Sequence, residues 1–330
     1  MKKIVLTGGG TAGHVTPNIA LLPALQAAGY EIAYVGSYEG IEKKLIADFN
    51  IPYTGISTGK FRRYLDPKNF SDPFRVMKGF VEARNYLKNY QPDVVFSKGG
   101  FVSVPVVRAA ASLHIPCIIH ESDMTPGLAN KLCIPVAEKV CCNFPETMKN
   151  IPADKAVLTG SPIRAELAEG SKLAGLNMCG FTANKPVIMV IGGSLGAANV
   201  NKAVRDALPK LLEDFQVVHL CGKDKIDNLL LNTPGYKQFE YIKAELKDIF
   251  AMADIVISRA GANAICELLA LKKPNILIPL PAASSRGDQL LNAASFEAQG
   301  YSIVLNEDDI TTNLLVDKVH ELYFNRQNYV

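Results

Sequence analysis

The chain has 330 residues, of which 48% are apolar and 20% are charged, and its formal net charge at pH 7 is +3. Its length fits two domains of about 150 residues each, and its composition is typical of a folded globular protein. The small net charge argues against nucleic acid as a partner, and no apolar run is long enough to cross a bilayer. The seven cysteines include no C-x-x-C pair, which predicts buried free thiols in a reducing compartment, the cytosol.

Apolar runs of strand length alternate with helical stretches along the whole chain. In the first half, strands are predicted at 4–7, 32–35, 94–97, 117–120 and 139–142. In the second half, they are predicted at 187–191, 216–220, 239–242, 255–258, 275–278 and 302–305. Runs of Val and Ile without polar alternation are typical of parallel strands buried on both faces. The pattern predicts an α/β protein with two Rossmann-like, doubly wound parallel-sheet domains, 1–160 and 161–330, that face a cleft.

A glycine-rich turn follows the first strand of each predicted domain, at Gly8–Gly13 and at Gly192–Gly196. A strand, a glycine turn and a helix N-terminus together present backbone N–H groups to an anion or a polar sugar. The first turn has the G-x-G-x-x-G spacing of dinucleotide sites, but Val35 at the end of the next strand is followed by Gly36 and not by an acid. This departure argues against NAD. Glycines needed only for close packing remain an alternative.

His14 follows the first turn at the predicted start of a helix. The positive end of the helix dipole favours a neutral imidazole there, and a neutral imidazole can accept a proton as a general base. A capping or solvent-exposed histidine is the alternative.

The second turn offers the hydroxyl of Ser194 and bare amides to a phosphate group. Arg164, at the predicted domain join, is a candidate cation for the same phosphates, although a solvated arginine is the simpler interpretation. No Asp-x-Asp pair is present to hold a metal, and we interpret the acidic run Glu307–Asp309 as capping of the last helix.

Two further candidates follow later strands of the second domain. Glu267 lies among apolar neighbours in a helix, where an unpaired charge is costly. A ribose diol or a lysine would each satisfy its carboxylate. Gln289 and Asp288 begin a helix that we place over the same end of the sheet.

Aromatic and basic residues are interleaved between positions 60 and 84. They include Phe61, Arg62, Arg63, Phe74, Arg75, Met77 and Phe80. Such a stretch suits an anionic membrane surface, with cations on lipid phosphates and apolar side chains below them. An ordinary amphipathic helix packed on the sheet is the equally weighted alternative.

Five segments together resemble the MurG family, the undecaprenyl-diphospho-muramoylpentapeptide N-acetylglucosaminyltransferases of bacterial peptidoglycan synthesis. The segments are Gly8–Pro17, Lys98–Ser103, His120–Ser122, Gly127–Lys131 and Gly192–Ala197. The resemblance implies a glycosyltransferase fold of the B type, with the acceptor lipid I on the first domain and the donor UDP-N-acetylglucosamine mainly on the second. It further implies inverting transfer to the C4 hydroxyl of lipid I, without a cofactor or a protein-bound metal.

The resemblance also assigns roles to individual residues. His14 is implied as the base, with Glu121 and Asn130 on the acceptor side. The implied donor contacts are Thr11, Ala12 and Gly13 to the sugar, Arg164 and Ser194 to the diphosphate, Glu267 to the ribose, and Gln289 to the sugar hydroxyls. The basic aromatic stretch becomes a membrane-docking patch. The implied location is the cytoplasmic face of the membrane, peripherally bound, with proteins of cell-wall synthesis and division as further partners.

Two departures from the family pattern affect these expectations. Glu121-Ser122-Asp123 stands where many relatives have Glu-Gln-Asn, so we do not expect the donor contact assigned to that asparagine. The chain ends at Val330, earlier than most relatives, and we expect a final helix back to the first domain to be short or missing. The alternatives are a diacylglycerol glucosyltransferase, a UDP-N-acetylglucosamine 2-epimerase and a catalytically silent nucleotide-sugar sensor.

Overall fold

The computed structural model describes residues 1–59, 68–193, 196–282 and 287–329, with the backbone alone for 68–73. Within these ranges the chain forms two compact units, Met1–Arg164 and Ala165–Val330. Each unit contains one parallel β-sheet with helices. No helix in the described part of the chain has the combined length and apolarity needed to span a bilayer.

In the first unit, the described strands form a seven-stranded sheet in the order β3-β2-β1-β4-β5-β6-β7. The strands are β1 (Lys2–Thr7), β2 (Tyr30–Ser37), β3 (Tyr53–Ile56), β4 (Val94–Ser97), β5 (Cys117–Glu121), β6 (Lys139–Cys142) and β7 (Ala156–Leu158). The helices are α1 (Thr16–Ala27), α2 (Ile41–Ile46), α3 (Lys68–Tyr90), α4 (Ser103–Ser112) and α5 (Leu128–Cys133).

In the second unit, the described strands form a six-stranded sheet in the order β10-β9-β8-β11-β12-β13. The strands are β8 (Val187–Ile191), β9 (Gln216–Leu220), β10 (Tyr236–Phe239), β11 (Ile255–Ser258), β12 (Asn275–Leu277) and β13 (Ser302–Val304). The helices are α6 (Lys172–Cys179), α7 (Ala198–Asp214), α8 (Leu246–Met252), α9 (Ala262–Ala270), α10 (Asp288–Ala298) and α11 (Thr312–Phe324).

The central strands carry the cores of both units. In β1, Val5 and Leu6 are fully buried, and in β8 the same holds for Ile188 and Met189. Their side chains point to opposite faces, so each sheet buries apolar surface against helices on both sides. This explains why continuous apolar runs, and not alternating ones, mark these strands in the sequence.

The predicted fold class is confirmed: both sheets are parallel and doubly wound. The strand predicted at 239–242 is wrong, because the strand is β10, Tyr236–Phe239, and its burial alternates. The strands β3 and β7 were not predicted. All three lie at sheet edges, where one side lacks a neighbour and a continuous apolar run is not needed.

The strand order reverses direction at one point in each sheet. In the first unit this point lies between β1 and β4, and in the second between β8 and β11. The connections leave these neighbouring strands toward opposite faces of the sheet, so a crevice opens beyond their carboxyl ends, where open α/β sheets bind ligands. Both predicted glycine turns begin at such a point.

Candidate active site

At the switch point of the first unit, the first glycine turn meets another pair of glycines. Gly8–Gly10 follows β1 and Gly99–Gly100 follows β4, and the Gly9 N–H donates to the Gly99 carbonyl oxygen at 3.4 Å. Gly100 has φ +85°, and a Cβ there would overlap the Gly9 carbonyl oxygen and lie 3.2 Å from His14 Nδ1. The two backbones approach each other this closely because neither side chain exists.

His14 lies in a one-turn 3-10 helix, Ala12–His14, that precedes α1. The sequence placed it at the start of the first helix itself, and the structure inserts this short turn. Its ring is half-buried, and the hydroxyl of exposed Thr11 lies 3.0 Å from Nδ1. A hydroxyl partner on one ring nitrogen orients the imidazole, as a base or a positioning group requires. Thr11, Ala12 and Gly13 line the same turn.

Glu42, on α2, contacts the first turn and is not among the residues predicted from the sequence. Its side chain is fully buried, and its Oε2 accepts from the Gly10 N–H at 3.2 Å. Its Oε1 accepts from the Ser37 N–H at 2.9 Å and from the Ser37 hydroxyl. A carboxylate beneath the turn repels a diphosphate and tolerates a neutral sugar hydroxyl. Nothing in the sequence distinguishes Glu42 from its exposed neighbour Glu39.

Lys98 and His120 form a buried polar pair of residues at the ends of β4 and β5. Lys98 is 1% exposed, and its ammonium donates to the Ser122 hydroxyl. Burial, together with the Lys98 charge, lowers the pKa of His120 to about 3. The ring is therefore neutral at physiological pH, and its Nε2–H donates to the Gly160 carbonyl oxygen at 2.8 Å. This bond joins Gly160, near the end of the first unit, to β5.

The acceptor-side candidates Glu121 and Asn130 are brought together by the loop that joins β5 to α5. Both are buried, and the Asn130 amide donates to Glu121 Oε2 at 2.8 Å. The Glu121 carboxylate also accepts from the Asp123 and Gly127 N–H groups at 3.0 Å each. These bonds shape the loop. An acceptor contact by either side chain stays a prediction.

The second glycine turn leads directly into a long helix. The Gly196 N–H donates to the Gly193 carbonyl oxygen at 2.9 Å, and α7 starts at Ala198. A Cβ on Gly196, at φ +69°, would overlap the Cys221 carbonyl oxygen. No described side chain caps the α7 N-terminus, which leaves its first N–H groups to an anion. The predicted contact Ser194 lies outside the described residues.

A buried ion pair closes the same edge of the second sheet. The Arg259 guanidinium, 9% exposed, pairs with Glu307 and donates to the Ile278 carbonyl oxygen at 3.0 Å. The Asn199 amide on α7 donates to the other Glu307 oxygen at 2.6 Å. The prediction that Glu307 caps the last helix is therefore wrong. Thr311 caps α11 instead, because its hydroxyl accepts from the Leu314 N–H at 3.2 Å.

The remaining donor candidates lie on separate elements. Glu267 is half-buried on α9, and Arg164 is half-buried in the segment after β7. Gln289 lies in the first turn of α10, where its side-chain oxygen accepts from the Leu280 N–H at 3.0 Å. That bond fixes Gln289 at the end of β12. Their predicted contacts to ribose, diphosphate and sugar remain predictions.

The basic aromatic stretch falls partly on α3. On that helix Phe74 is 80% and Met77 64% exposed, Arg75 is exposed, and Phe80 packs half-buried against the core of the first unit. An exposed Phe and Met three residues apart occupy one face of a helix. Phe61, Arg62 and Arg63 lie outside the described residues.

No group of three His, Cys, Asp or Glu side chains within the described ranges is arranged to hold a metal ion. The seven cysteines, all within those ranges, are free thiols, and most are buried. Burial raises the pKa of Cys117 to about 12 and that of Cys179 to about 11. These thiols are protonated at neutral pH and behave as small apolar side chains.

Two doubly wound units, each with a glycine turn at its switch point, define a two-domain α/β protein with Rossmann-like units. The glycosyltransferase family 28 N-terminal domain matches residues 4–142, and the family 28 C-terminal domain matches residues 187–330. The chain belongs to glycosyltransferase family 28.

Curated relatives match the whole chain. A UDP-N-acetylglucosamine–N-acetylmuramyl-(pentapeptide) pyrophosphoryl-undecaprenol N-acetylglucosamine transferase of Lachnospira eligens is 66% identical over 330 residues, 100% of this chain and 93% of that protein. A transferase of the same name from Clostridium botulinum is 59% identical over the same shares. The resemblance to the MurG family is thereby confirmed.

Solved structures agree on the fold. MurG of Acinetobacter baumannii superposes with a TM-score of 0.77 at 29% identity, covering 100% of this chain and 92% of that one. A UDP-GlcNAc 2-epimerase of Methanocaldococcus jannaschii superposes with a TM-score of 0.67 at 13% identity, covering 98% and 93%. At that identity the epimerase shares the fold alone.

Proposed function

We propose that this chain transfers N-acetylglucosamine from UDP-N-acetylglucosamine to the C4 hydroxyl of undecaprenyl-diphospho-N-acetylmuramoyl-pentapeptide, lipid I, to give lipid II. The observation that carries the proposal is the 66% identity, over the full chain, to a transferase named for that reaction. The two switch points support the proposal. His14 lies at the switch point of the first unit, and the α7 N-terminus, which no described side chain caps, lies at that of the second.

The reaction is a single in-line displacement at the anomeric carbon of the donor sugar. The acceptor hydroxyl loses its proton as it attacks, UDP leaves, and the new bond has the inverted, β configuration. His14, oriented by Thr11, is the base that takes this proton. Only the neutral imidazole can accept this proton.

The leaving diphosphate gains negative charge in the transition state, and fixed donors must stabilise it. The α7 N-terminus beyond Gly196 offers N–H groups and the positive end of a 17-residue helix dipole. Ser194 and Arg164 are proposed to complete this diphosphate site. Glu267 would hold the ribose diol and Gln289 the sugar hydroxyls, without a cofactor or a protein-bound metal.

The acceptor is a lipid, so the enzyme must work at a membrane surface. Exposed Phe74 and Met77 on α3, next to Arg75, support a peripheral contact with anionic lipid. We propose the cytoplasmic face of the cell membrane, where UDP-N-acetylglucosamine is available, and other cell-wall synthesis and division proteins as neighbours there.

Acceptor-dependent release of UDP tests the proposal. The protein is incubated with UDP-N-acetylglucosamine, with and without a soluble lipid I analogue, and UDP is quantified while the product linkage is read by NMR. We expect UDP and a β-1,4-linked disaccharide only when the analogue is present. Diacylglycerol as acceptor and UDP-glucose as donor serve as controls. Epimerised donor without acceptor, or transfer to diacylglycerol, would contradict the proposal.

A further inference from the structure

The side chain of Glu42 is enclosed by three glycines from three chain segments. A Cβ on Gly9 would lie 2.5 Å from the Glu42 carboxyl carbon, and one on Gly36 would lie 2.8 Å from its Cγ. A Cβ on Gly40 would overlap its Oε1. The first turn, the end of β2 and the start of α2 therefore close around one carboxylate.

Hydrogen bonds from neutral groups hold the charge in this enclosure. Gly10 N–H donates to one oxygen at 3.2 Å, and the Ser37 N–H donates to the other at 2.9 Å, with the Ser37 hydroxyl as a third donor. Tyr53 fixes Ser37 in turn, because its hydroxyl donates to the Ser37 carbonyl oxygen at 2.5 Å. A fully buried charge keeps such a set of donors only if the surrounding backbone is held in place.

The donor Gly10 stands one residue before Thr11, which orients His14. The Gly10 N–H points down to Glu42, and Gly9 lies against the Gly99–Gly100 turn. We infer that Glu42 is a positioning residue for the transfer reaction: it fixes the Gly8–Gly10 turn so that Thr11 and His14 stand at the reacting hydroxyl. This inference rests on the proposed function.

Kinetics of Glu42→Ala and Glu42→Gln test the inference. Loss of the carboxylate leaves Gly10 and Ser37 N–H groups unpaired and frees the turn to move. Misplaced catalytic groups lose rate steeply with distance. We expect kcat to fall about 30-fold or more in E42A and less in E42Q, which keeps one acceptor oxygen. The Kd for UDP should stay within about twofold, because Glu267 and the α7 N-terminus, which are proposed to hold its ribose and diphosphate, belong to the second unit. The matched control is E39Q, which removes the same charge from an exposed position and should leave both constants unchanged.

Counting the UDP-binding sites in each sample distinguishes a positioning role of Glu42 from a role in folding alone. Each kcat is divided by the fraction of molecules that bind UDP, measured by calorimetric titration, so unfolded protein does not lower the value. An E42A variant with wild-type kcat per UDP site would overturn the inference. If E42A does not fold, Ser37→Ala removes one hydrogen bond only, and a kcat equal to that of wild type would then overturn it. If the wild-type protein itself shows no acceptor-dependent UDP release, the proposed function fails and this inference fails with it.

Discussion

The first glycine turn, Gly8–Gly13, and the second, Gly192–Gly196, each connect a strand to a helix, but they differ in chemistry. Beneath the first turn lies the carboxylate of Glu42, which already occupies the Gly10 N–H. The second turn leads directly into α7, whose N-terminus no described side chain caps, whereas a 3-10 turn separates the first from α1. We therefore expect an anion to be repelled at the first turn and attracted at the second. Two similar glycine turns therefore do not predict the same ligand.

Side chains near the two turns reinforce the difference. Around the first, the Tyr34 hydroxyl donates to the Gly8 carbonyl oxygen at 2.7 Å, and Asn18 donates to Tyr34. Beside the second, the lining of a pocket at the start of α7 includes the cations Arg205 and Lys225 and the acid Asp227. The first turn is held by neutral hydrogen-bonding groups together with one carboxylate, Glu42, whereas near the second turn two cations outnumber one acid.

The largest expected effect, and the strongest test of the difference between the turns, is removal of the His14 imidazole. His14→Ala should lower kcat about 10²–10⁴-fold, the usual contribution of a positioned general base, with the donor KM unchanged. Acceptor-dependent UDP release measures both constants. His114→Asn, at an exposed position of the same unit, is the control and should have no effect. Equal turnover in H14A and wild type would remove His14 from the mechanism.

Distortion of the second turn should affect donor binding. Gly196→Ala places a Cβ against the Cys221 carbonyl oxygen, so the turn must move and the α7 N–H groups move with it. We expect UDP affinity, measured by calorimetry, to fall more than tenfold.

The control for that variant is Gly180→Ala. Gly180 has the same φ of +69° but no atom within 4 Å of the added Cβ, so it carries the backbone strain without the overlap. It should cost about 1–2 kcal/mol of stability and leave UDP affinity intact. Equal losses of affinity in both variants would show that strain, and not the geometry of the second turn, is responsible.

In their response to acid the two units should be alike. Burial lowers the pKa of His120 to about 3 and that of His219 to about 3, with Lys98 and Arg205 respectively as the second cause. Below about pH 6.5 the unfolded chain binds protons that the folded chain excludes, so each histidine should reduce stability by about 1.4 kcal/mol per pH unit as the pH falls toward 3.

Denaturant unfolding of His219→Asn between pH 4 and 7 checks this slope. As the pH falls, the free energy of unfolding of the variant should decrease less steeply than that of wild type. The difference in slope should be up to about 1.4 kcal/mol per pH unit. A variant slope equal to that of wild type would mean that His219 takes up a proton in the folded state.

The smallest expected effect concerns α3 and the membrane. Arg75→Gln should weaken binding to phosphatidylglycerol vesicles about fivefold, because one cation near an anionic surface contributes about 1 kcal/mol. Cosedimentation measures the binding. Lys44→Gln removes an exposed charge from α2 and should change little. Equal weakening by both variants would mean that the overall charge of the protein, and not a specific site on α3, governs vesicle binding. In that case α3 would be an ordinary surface helix.

The sequence predicted much of the fold because buried parallel strands have a strong pattern. The central strands β1 and β8 were predicted from continuous apolar runs, and the edge strands β3 and β7 were missed because partial exposure weakens that pattern. The glycine turns and His14 were predicted for a similar reason, since local spacing indicates where a chain must bend. The contacts of the candidate residues with substrate stay predictions.

By itself, the sequence determined the parallel α/β units, the position of both glycine turns and membership of a glycosyltransferase family. Only the tertiary structure decided what lies behind each turn. Glu42 reaches Gly10 across 32 positions in the sequence, and Glu307 leaves its expected capping role to pair with Arg259. Buried charges choose partners by proximity in the folded chain, where desolvation makes an unpaired charge costly, and no local pattern encodes that proximity.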